Sequence, residues 1–359
     1  GNDFVANMIL ELFLRKLRLA DAGEFTMRAF FNDKMDLTQA EAVGDLLNAK
    51  TKHQHQMAIH QLEGSLHNKI TKILAKITEL RTLLELEIDF QEQGLSKLGK
   101  TKFANDIQII ISKLQNLIDN GNDGLILREG YKVSLFGAPN VGKSSIFNKL
   151  LESERAIVTP IPGTTRDYIE EAISLNGFYI RFFDTAGIRE TSDEIEIIGI
   201  NRAIDVIKAS HKILYIEDGQ TSSNLDELLT IVDEDKIIKV LNKSDLHSKE
   251  MIDKFNGFVL TSTKTNNGLD AIKQKLSKDL FISNQEMNSG MLTNMRQISA
   301  VKKSLFALKK GYQTFIDEMG IEFVAFDLQE SSSFLEELIG KVSDEDIRTK
   351  IFSEFCVGK

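Results

Sequence analysis

The 359-residue sequence has a single cysteine, Cys356, and three prolines. It has no apolar run near the ~20 residues that a membrane-spanning helix needs. With one thiol no internal disulfide can form, which fits a reducing compartment. So few prolines, and no low-complexity tract, argue against a large disordered portion. The longest apolar stretches are short and interrupted, as at Ile107–Ile111, so insertion into a membrane is not expected. No secretory signal is visible at the start. The net charge of −9 argues against non-specific coating of nucleic acid, while leaving room for a local basic patch.

What is present suffices for folding. At 42% hydrophobic residues a chain of this length can bury two or three cores, and 27% charged residues is ordinary for a globular protein. Residues 1–44 join an amphipathic helix (Met8, Ile9, Leu12, Phe13) to Gly23-Glu-Phe-Thr-Met-Arg-Ala-Phe30. They read as a fragment of a mixed α+β domain whose opening is absent. From 45 to 127 the pattern is helical. Leu66, Ile70, Ile73, Ile77, Leu80 and Leu84 follow a 4-3-4-3-4 spacing that keeps one apolar seam toward a partner helix. Phe103, Ile107, Ile110, Leu114 and Leu117 repeat this logic, with a break expected near Gly94 and Gly99.

From 128 to 282 strands and helices alternate. Tyr131–Phe136, Phe178–Phe183, Ile213–Ile216, Ile237–Leu241 and Phe258–Leu260 read as buried strands, and Asn176-Gly177 as a hairpin turn. This predicts a doubly wound α/β domain. From 283 to 359 the helical pattern returns through Ile298, Val301, Leu305 and Leu308, then Phe334, Leu335, Leu338 and Ile339. The fold expected is one all-α domain split by an α/β insertion. His53, His60 and His67 recur every seven residues, with His55 nearby. About 10 Å along a helix axis is too long for joint metal ligation, so a solvated polar face is expected.

The α/β segment carries four motifs in order, each at a strand end. Gly137-Ala-Pro-Asn-Val-Gly-Lys-Ser144 fits the glycine-rich phosphate loop that opens a helix. Backbone N–H groups there close around phosphates, with Asn140, Val141, Gly142, Lys143, Ser144 and Ser145 as the binding set. Lys143 would reach the β/γ-phosphates and the Ser144 hydroxyl would bind Mg²⁺. Asp184-Thr185-Ala186-Gly187 would meet Mg²⁺ through water and the γ-phosphate through Gly187. In Asn242-Lys243-Ser-Asp245, Asp245 can accept from guanine N1–H and N2–H, an arrangement adenine does not offer. Asn242 would support N7 and the loop, and the Lys243 stem would cover the base. Ser262-Thr263-Lys264 would turn a backbone N–H toward guanine O6. The nucleotide implied is GTP.

Three further phrases narrow the reading: Gly23 through Ala42, Gly163-Thr-Thr-Arg-Asp167, and the terminal Phe355-Cys-Val-Gly-Lys359. With the nucleotide motifs they resemble the MnmE (TrmE) family along essentially the whole chain. The resemblance implies a potassium-dependent GTPase domain (128–282) inserted into a helical domain (45–127 and 283–359), after part of a folate-binding domain (1–44). It implies tetrahydrofolate as a one-carbon donor and action with a flavin-dependent partner protein on C5 of the wobble uridine in certain tRNAs. It also implies a homodimer, in the bacterial cytoplasm, with a mitochondrial location left open because the N-terminus reads as incomplete.

The resemblance also distributes catalytic roles. Small regulatory GTPases place a water-orienting glutamine directly after D-x-x-G, but here Ile188 stands there and has no hydrogen-bonding group. The family's glutamate further along falls on Glu196. In place of an arginine finger it uses K⁺, for which Asn140, the Thr159 and Ile161 carbonyls and Thr164 match by position. A bound cation there supplies the charge an arginine would, with Arg166 and Arg189 as the alternatives. Thr165 becomes the second Mg²⁺ ligand, and Cys356 is linked to the tRNA chemistry. The rival reading is a ribosome-assembly switch that binds rRNA, although no appended RNA-binding module or duplicated GTPase domain is visible. A membrane-trafficking switch would need a lipid motif that the sequence lacks.

Overall fold

A computed structural model describes residues 2–89, 97–153, 155–157, 170–184, 203–220, 225–278, 280 and 290–341. The chain divides into two compact units. Gly1–Asn48, Gln56–Gly124 and Asn284–Lys359 form the first, and Ala49–His55 with Leu125–Ser283 form the second. In chain order the principal helices begin with α1 (Asp3–Leu14), α2 (Glu24–Phe31), α3 (Leu37–Asn48), α4 (Lys52–Leu62), α5 (Ser65–Asp89) and α6 (Lys97–Asp119). They continue with α7 (Gly121–Glu129), α8 (Lys143–Ser153), α9 (Leu269–Ser277), α10 (Met295–Ile316) and α11 (Ile321–Ile339).

In the first unit α5, α6, α10 and α11 pack as a bundle, with α5 against α6 and α11, and α10 against α6 and α11. All six seam residues of α5 from Leu66 to Leu84 are buried, and so are the five of α6 from Phe103 to Leu117. A stripe at this spacing faces one side of a helix, and burying each large side chain contributes about 1.5–3 kcal/mol. Ile298, Val301, Leu305 and Leu308 of α10, and Leu335, Leu338 and Ile339 of α11, are buried as well. Phe334 is half-exposed, with the Lys303 ammonium 5.6 Å from its ring centroid. The N-terminus of α10 is capped by Asn294, whose Oδ1 accepts from the Gln297 N–H at 2.9 Å.

Several polar groups sealed inside this unit are paired. Glu41 accepts from Arg296 Nε at 2.8 Å and from Gln297 Nε2 at 2.8 Å, and Ser304 and Ser331 share a 2.8 Å hydrogen bond. α5 ends at Asp89 and α6 begins at Lys97, so the break falls near Gly94 and Gly99 as expected, with Gly99 in the first turn of α6. Gly94 lies outside the described residues.

The described part of residues 1–44 holds α1, α2 and the start of α3, with no strand of a sheet. The apolar side chains of α1 also stay out of a core, with Met8 51%, Ile9 50%, Leu12 59% and Phe13 59% exposed. One expectation, that of a solvated histidine face, is revised. The histidines share no single helix face, because the chain breaks at Glu63–Gly64 between α4, with His53 and His60, and α5, with His67. His53 packs edge-on against Phe178 at 4.8 Å, and burial holds its imidazole below the ordinary range. His67 Nδ1 pairs with the Asp36 carboxylate. Of the four only His55 is exposed, the others being partly buried.

The second unit is built on a seven-stranded mixed sheet of order β2-β3-β4-β1-β5-β6-β7. The strands are β1 (Tyr131–Phe136), β2 (Arg155–Ile157), β3 (Glu170–Leu175), β4 (Phe178–Asp184), β5 (Lys212–Glu217), β6 (Ile237–Leu241) and β7 (Val259–Leu260). β4, β1, β5, β6 and β7 run parallel, while β2-β3-β4 is an antiparallel meander. Central β1 buries Val133, Ser134 and Leu135 in succession, as a strand covered on both faces does. The β3–β4 turn is Asn176-Gly177 with φ of 51° and 87°, both in the left-handed region that a two-residue hairpin needs. Residues 49–55 are stitched into this unit, since Gln54 Nε2 donates to the Arg128 carbonyl at 2.9 Å.

Candidate functional site

Because β1, β4, β5, β6 and β7 are parallel, the segments that leave them emerge on one edge of the sheet. The strand order turns back beside β1, which opens a crevice at that edge. The loop after β1 runs straight into α8, so its backbone N–H groups and the positive end of the helix dipole face the same space. Lys143, only 6% exposed, opens α8 and donates from Nζ to the carbonyls of Gly137 and Ala138, each at 2.9 Å. Ser144 and Ser145 sit in the first turn of α8 and are exposed. Asp184 ends β4 in register with Leu135 of β1, beside the loop.

The segment after β6 holds the phosphate loop directly. Asn242 is 1% exposed and donates from Nδ2 to the Val141 carbonyl at 2.9 Å. That amide lies so close to Gly142 (φ +98°) that a Cβ there would stand 2.1 Å from it. Glycine is therefore required at 142 by space as well as by backbone conformation. Lys243, itself left-handed at φ 56°, donates to the Asn140 carbonyl at 2.9 Å and to Asp218 Oδ2 at 2.8 Å. Asp218 follows β5, is 5% exposed, and also accepts from the Gln220 N–H at 3.1 Å.

Asp245 and Ser262 face each other across this edge. The Ser262 hydroxyl bonds to the Asp245 carboxylate and holds it ionised below the usual aspartate range, with Lys264 and His247 adding to the effect. Ser262 is buried, and its N–H is committed to the Asn267 carbonyl at 3.1 Å. The Thr265 N–H is committed to Ser262 Oγ at 3.3 Å. Within Ser262–Lys264 the donors left for a base are therefore the N–H groups of Thr263 and Lys264.

The structure thus gathers Asn140, Val141, Gly142, Lys143, Ser144, Ser145, Asp184, Asn242, Lys243, Asp245, Ser262, Thr263 and Lys264 at one edge. Thr159, Ile161, Thr164, Thr165, Thr185, Ala186, Gly187, Ile188, Glu196 and Cys356, with Arg166 and Arg189, lie outside the described residues. Sequence reasoning missed Asp218. Its only trace was an acidic residue right after a buried strand, and its meaning depends on Lys243, 25 residues away. Among the described residues no group of three His, Cys, Asp or Glu is placed to hold a metal, and no helix is long and apolar enough to cross a membrane.

A glycine-rich loop opening a helix, with an Asn-Lys-x-Asp segment bonded to its backbone, defines a P-loop G domain set within a helical chain. The MnmE helical domain family matches residues 37–356. The chain is 38% identical over its whole length to the tRNA modification GTPase MnmE of Aquifex aeolicus, covering 81% of that protein. It is 36% identical over its whole length to the protein of that name from Finegoldia magna, again covering 81%. The chain belongs to the MnmE family. Among solved structures, the G domain of the T. maritima FeoB iron transporter is 27% identical, the match covering 42% of this chain and 99% of that one at a TM-score of 0.31.

Proposed function

We propose that this chain is a GTP hydrolase whose turnover drives a tRNA-modification reaction. The observation that carries the proposal is the double tie from the Asn242–Asp245 segment to the phosphate loop, through Asn242 to Val141 and Lys243 to Asn140. It joins a guanine-reading carboxylate to a phosphate cradle in one rigid frame. Family membership supports the same reading, since the relatives compared above are named tRNA modification GTPases.

The residues present fit GTP. Asp245, kept ionised by Ser262, accepts from guanine N1–H and N2–H, while the Thr263 and Lys264 N–H groups face O6. Lys143 exchanges the Gly137 and Ala138 carbonyls for β- and γ-phosphate oxygens. Ser144 and Thr165 would hold Mg²⁺, which neutralises phosphate charge when bound. Asn140, Thr159, Ile161 and Thr164 would hold K⁺, which supplies positive charge between the β- and γ-phosphates. The exposed position of Asn140 at the loop apex leaves its amide oxygen available for that cation. The Gly187 N–H would meet the γ-phosphate, and by family resemblance Glu196 would orient the attacking water, a role for which Ile188 has no hydrogen-bonding group.

The remaining assignments rest on the family resemblance. They are a flavin-dependent partner protein, the wobble uridine as target, Cys356 in the tRNA chemistry, a tetrahydrofolate donor, a homodimer and a cytoplasmic setting.

Competition binding tests the base reading. Unlabelled GTP should displace a labelled guanine nucleotide and ATP should not. Asp245→Asn should weaken guanine binding about 5- to 100-fold, as one lost acceptor and an unpaired N–H imply. The variant should also admit xanthine nucleotides, whose C2 carbonyl takes the new amide N–H. Unchanged preference in Asp245→Asn would mean that another residue reads the base.

A further inference from the structure

In a chain of net charge −9, α10 carries Arg296, Lys302, Lys303, Lys309 and Lys310 and not one acidic residue over its 22 positions. Two of these are neutralised. Arg296 pairs with Glu41, and Lys310 with Asp327 at 2.7 Å on the α11 side. Lys302, Lys303 and Lys309 are exposed, and none has a carboxylate partner among the described residues. Phe306 lies between them at helical spacing and is 73% exposed.

The neighbouring α6 continues this character. Between Asp106 and Asp119 its only charged residue is Lys113, also exposed. The two helices meet without a carboxylate, through Gln108 Nε2 to Tyr312 Oη at 2.5 Å and the Lys309 ammonium to Gln115 Oε1 at 3.3 Å. The result is an acid-poor face of lysines, amides and a hydroxyl around one protruding aromatic ring.

We infer that the exposed face of α10 is an RNA-docking surface, with Lys302 and Lys309 on its α6 side and Lys303 on its α11 side meeting backbone phosphates and Phe306 stacking an unpaired base. Lys302 and Lys309 stand about 10 Å apart along the helix, on either side of Phe306, so a nucleotide stacked there would have a lysine toward each flanking phosphate. Ammonium groups with no carboxylate to give up, here Lys303 over the Phe334 ring and Lys309 on the Gln115 amide, lose little on meeting phosphates and release counterions from the RNA. An exposed aromatic ring flanked by cations is the arrangement that holds unstacked bases of loops and single strands. The inference rests on the tRNA reading above and assigns that substrate a place on the helical unit.

The test measures full-chain binding to a fluorescent tRNA transcript between about 50 and 200 mM salt, beside GTP turnover. Lys302→Gln/Lys303→Gln/Lys309→Gln should weaken binding at least tenfold and lower the log–log salt slope by about two. Phe306→Ala should weaken binding to an RNA stem-loop about tenfold while leaving a blunt duplex nearly unaffected. GTP turnover without RNA should match the unaltered chain in both variants. Unchanged tRNA affinity and slope in the triple variant would overturn the surface while leaving the tRNA reading intact. If the unaltered chain binds no tRNA at low salt, both the surface and that reading fail. If the triple variant loses polyglutamate binding but keeps tRNA, the face belongs to an acidic protein and the inference is overturned.

Discussion

Asp218 makes the sharpest test of the nucleotide frame, because it touches neither base nor phosphate in the arrangement proposed. It acts through Lys243, whose ammonium it holds at 2.8 Å while the same ammonium grips the Asn140 carbonyl. Asp218→Asn keeps the shape and removes the charge. A hydrogen bond to a charged group contributes about 1.5–3 kcal/mol when shielded from water. Asp218 is shielded, but the Lys243 side chain is 38% exposed, so about 1–2 kcal/mol is the reasonable share after screening. That corresponds to a loss of about 5- to 30-fold in guanine-nucleotide affinity, at 1.4 kcal/mol per decade. Titration with a fluorescent GDP analogue reads it directly, and Asp218→Glu should recover part of the loss. Affinity within twofold of the unaltered chain would show that Lys243 needs no carboxylate to keep its place.

Glu196→Ala should leave GTP binding intact and slow hydrolysis about 100-fold or more, read as phosphate release at saturating GTP; near-native turnover would return Glu196 to an ordinary acidic helix end. In the first unit, hydrogen bonds from Arg18, the Asp21 N–H and Arg28 hold Glu24 down to about 2. A depressed carboxylate stabilises the fold fully above its unfolded value of about 4.3 and loses that contribution as pH falls toward 2. The melting-temperature gap between the unaltered chain and Glu24→Gln should therefore be widest near neutral pH and close below pH 4. A gap that does not vary with pH would show that the pairing is unimportant to folding.

Elements fixed by local periodicity were legible. The α5 and α6 seams, the strands from Tyr131 and Ile237, and the Asn176-Gly177 turn each announce themselves within ten to twenty residues, where apolar spacing and turn chemistry act. The phosphate loop and the Asn242–Asp245 segment, which the structure brings together, were legible for a related reason, since each is a short run of residue types at fixed spacing. What depended on distant partners was misread or missed. His53 looked like a solvated residue until Phe178 covered it. Residues 49–55 gave no sign of joining the sheet-bearing unit, because Gln54 reaches Arg128 across 74 positions. Asp218 was silent for the same reason, and so was the commitment of the Ser262 N–H to Asn267.

In the function proposed, a monovalent cation takes the place that an arginine holds in other GTPases. The direct measurement is GTP turnover by the full chain in KCl and in NaCl at equal ionic strength and fixed Mg²⁺. The account predicts that turnover in K⁺ exceeds turnover in Na⁺ by about tenfold or more, the scale of one well-placed charge in a transition state. Equal rates in the two salts would contradict it, removing Asn140 from the catalytic set and putting Arg166 and Arg189 in its place.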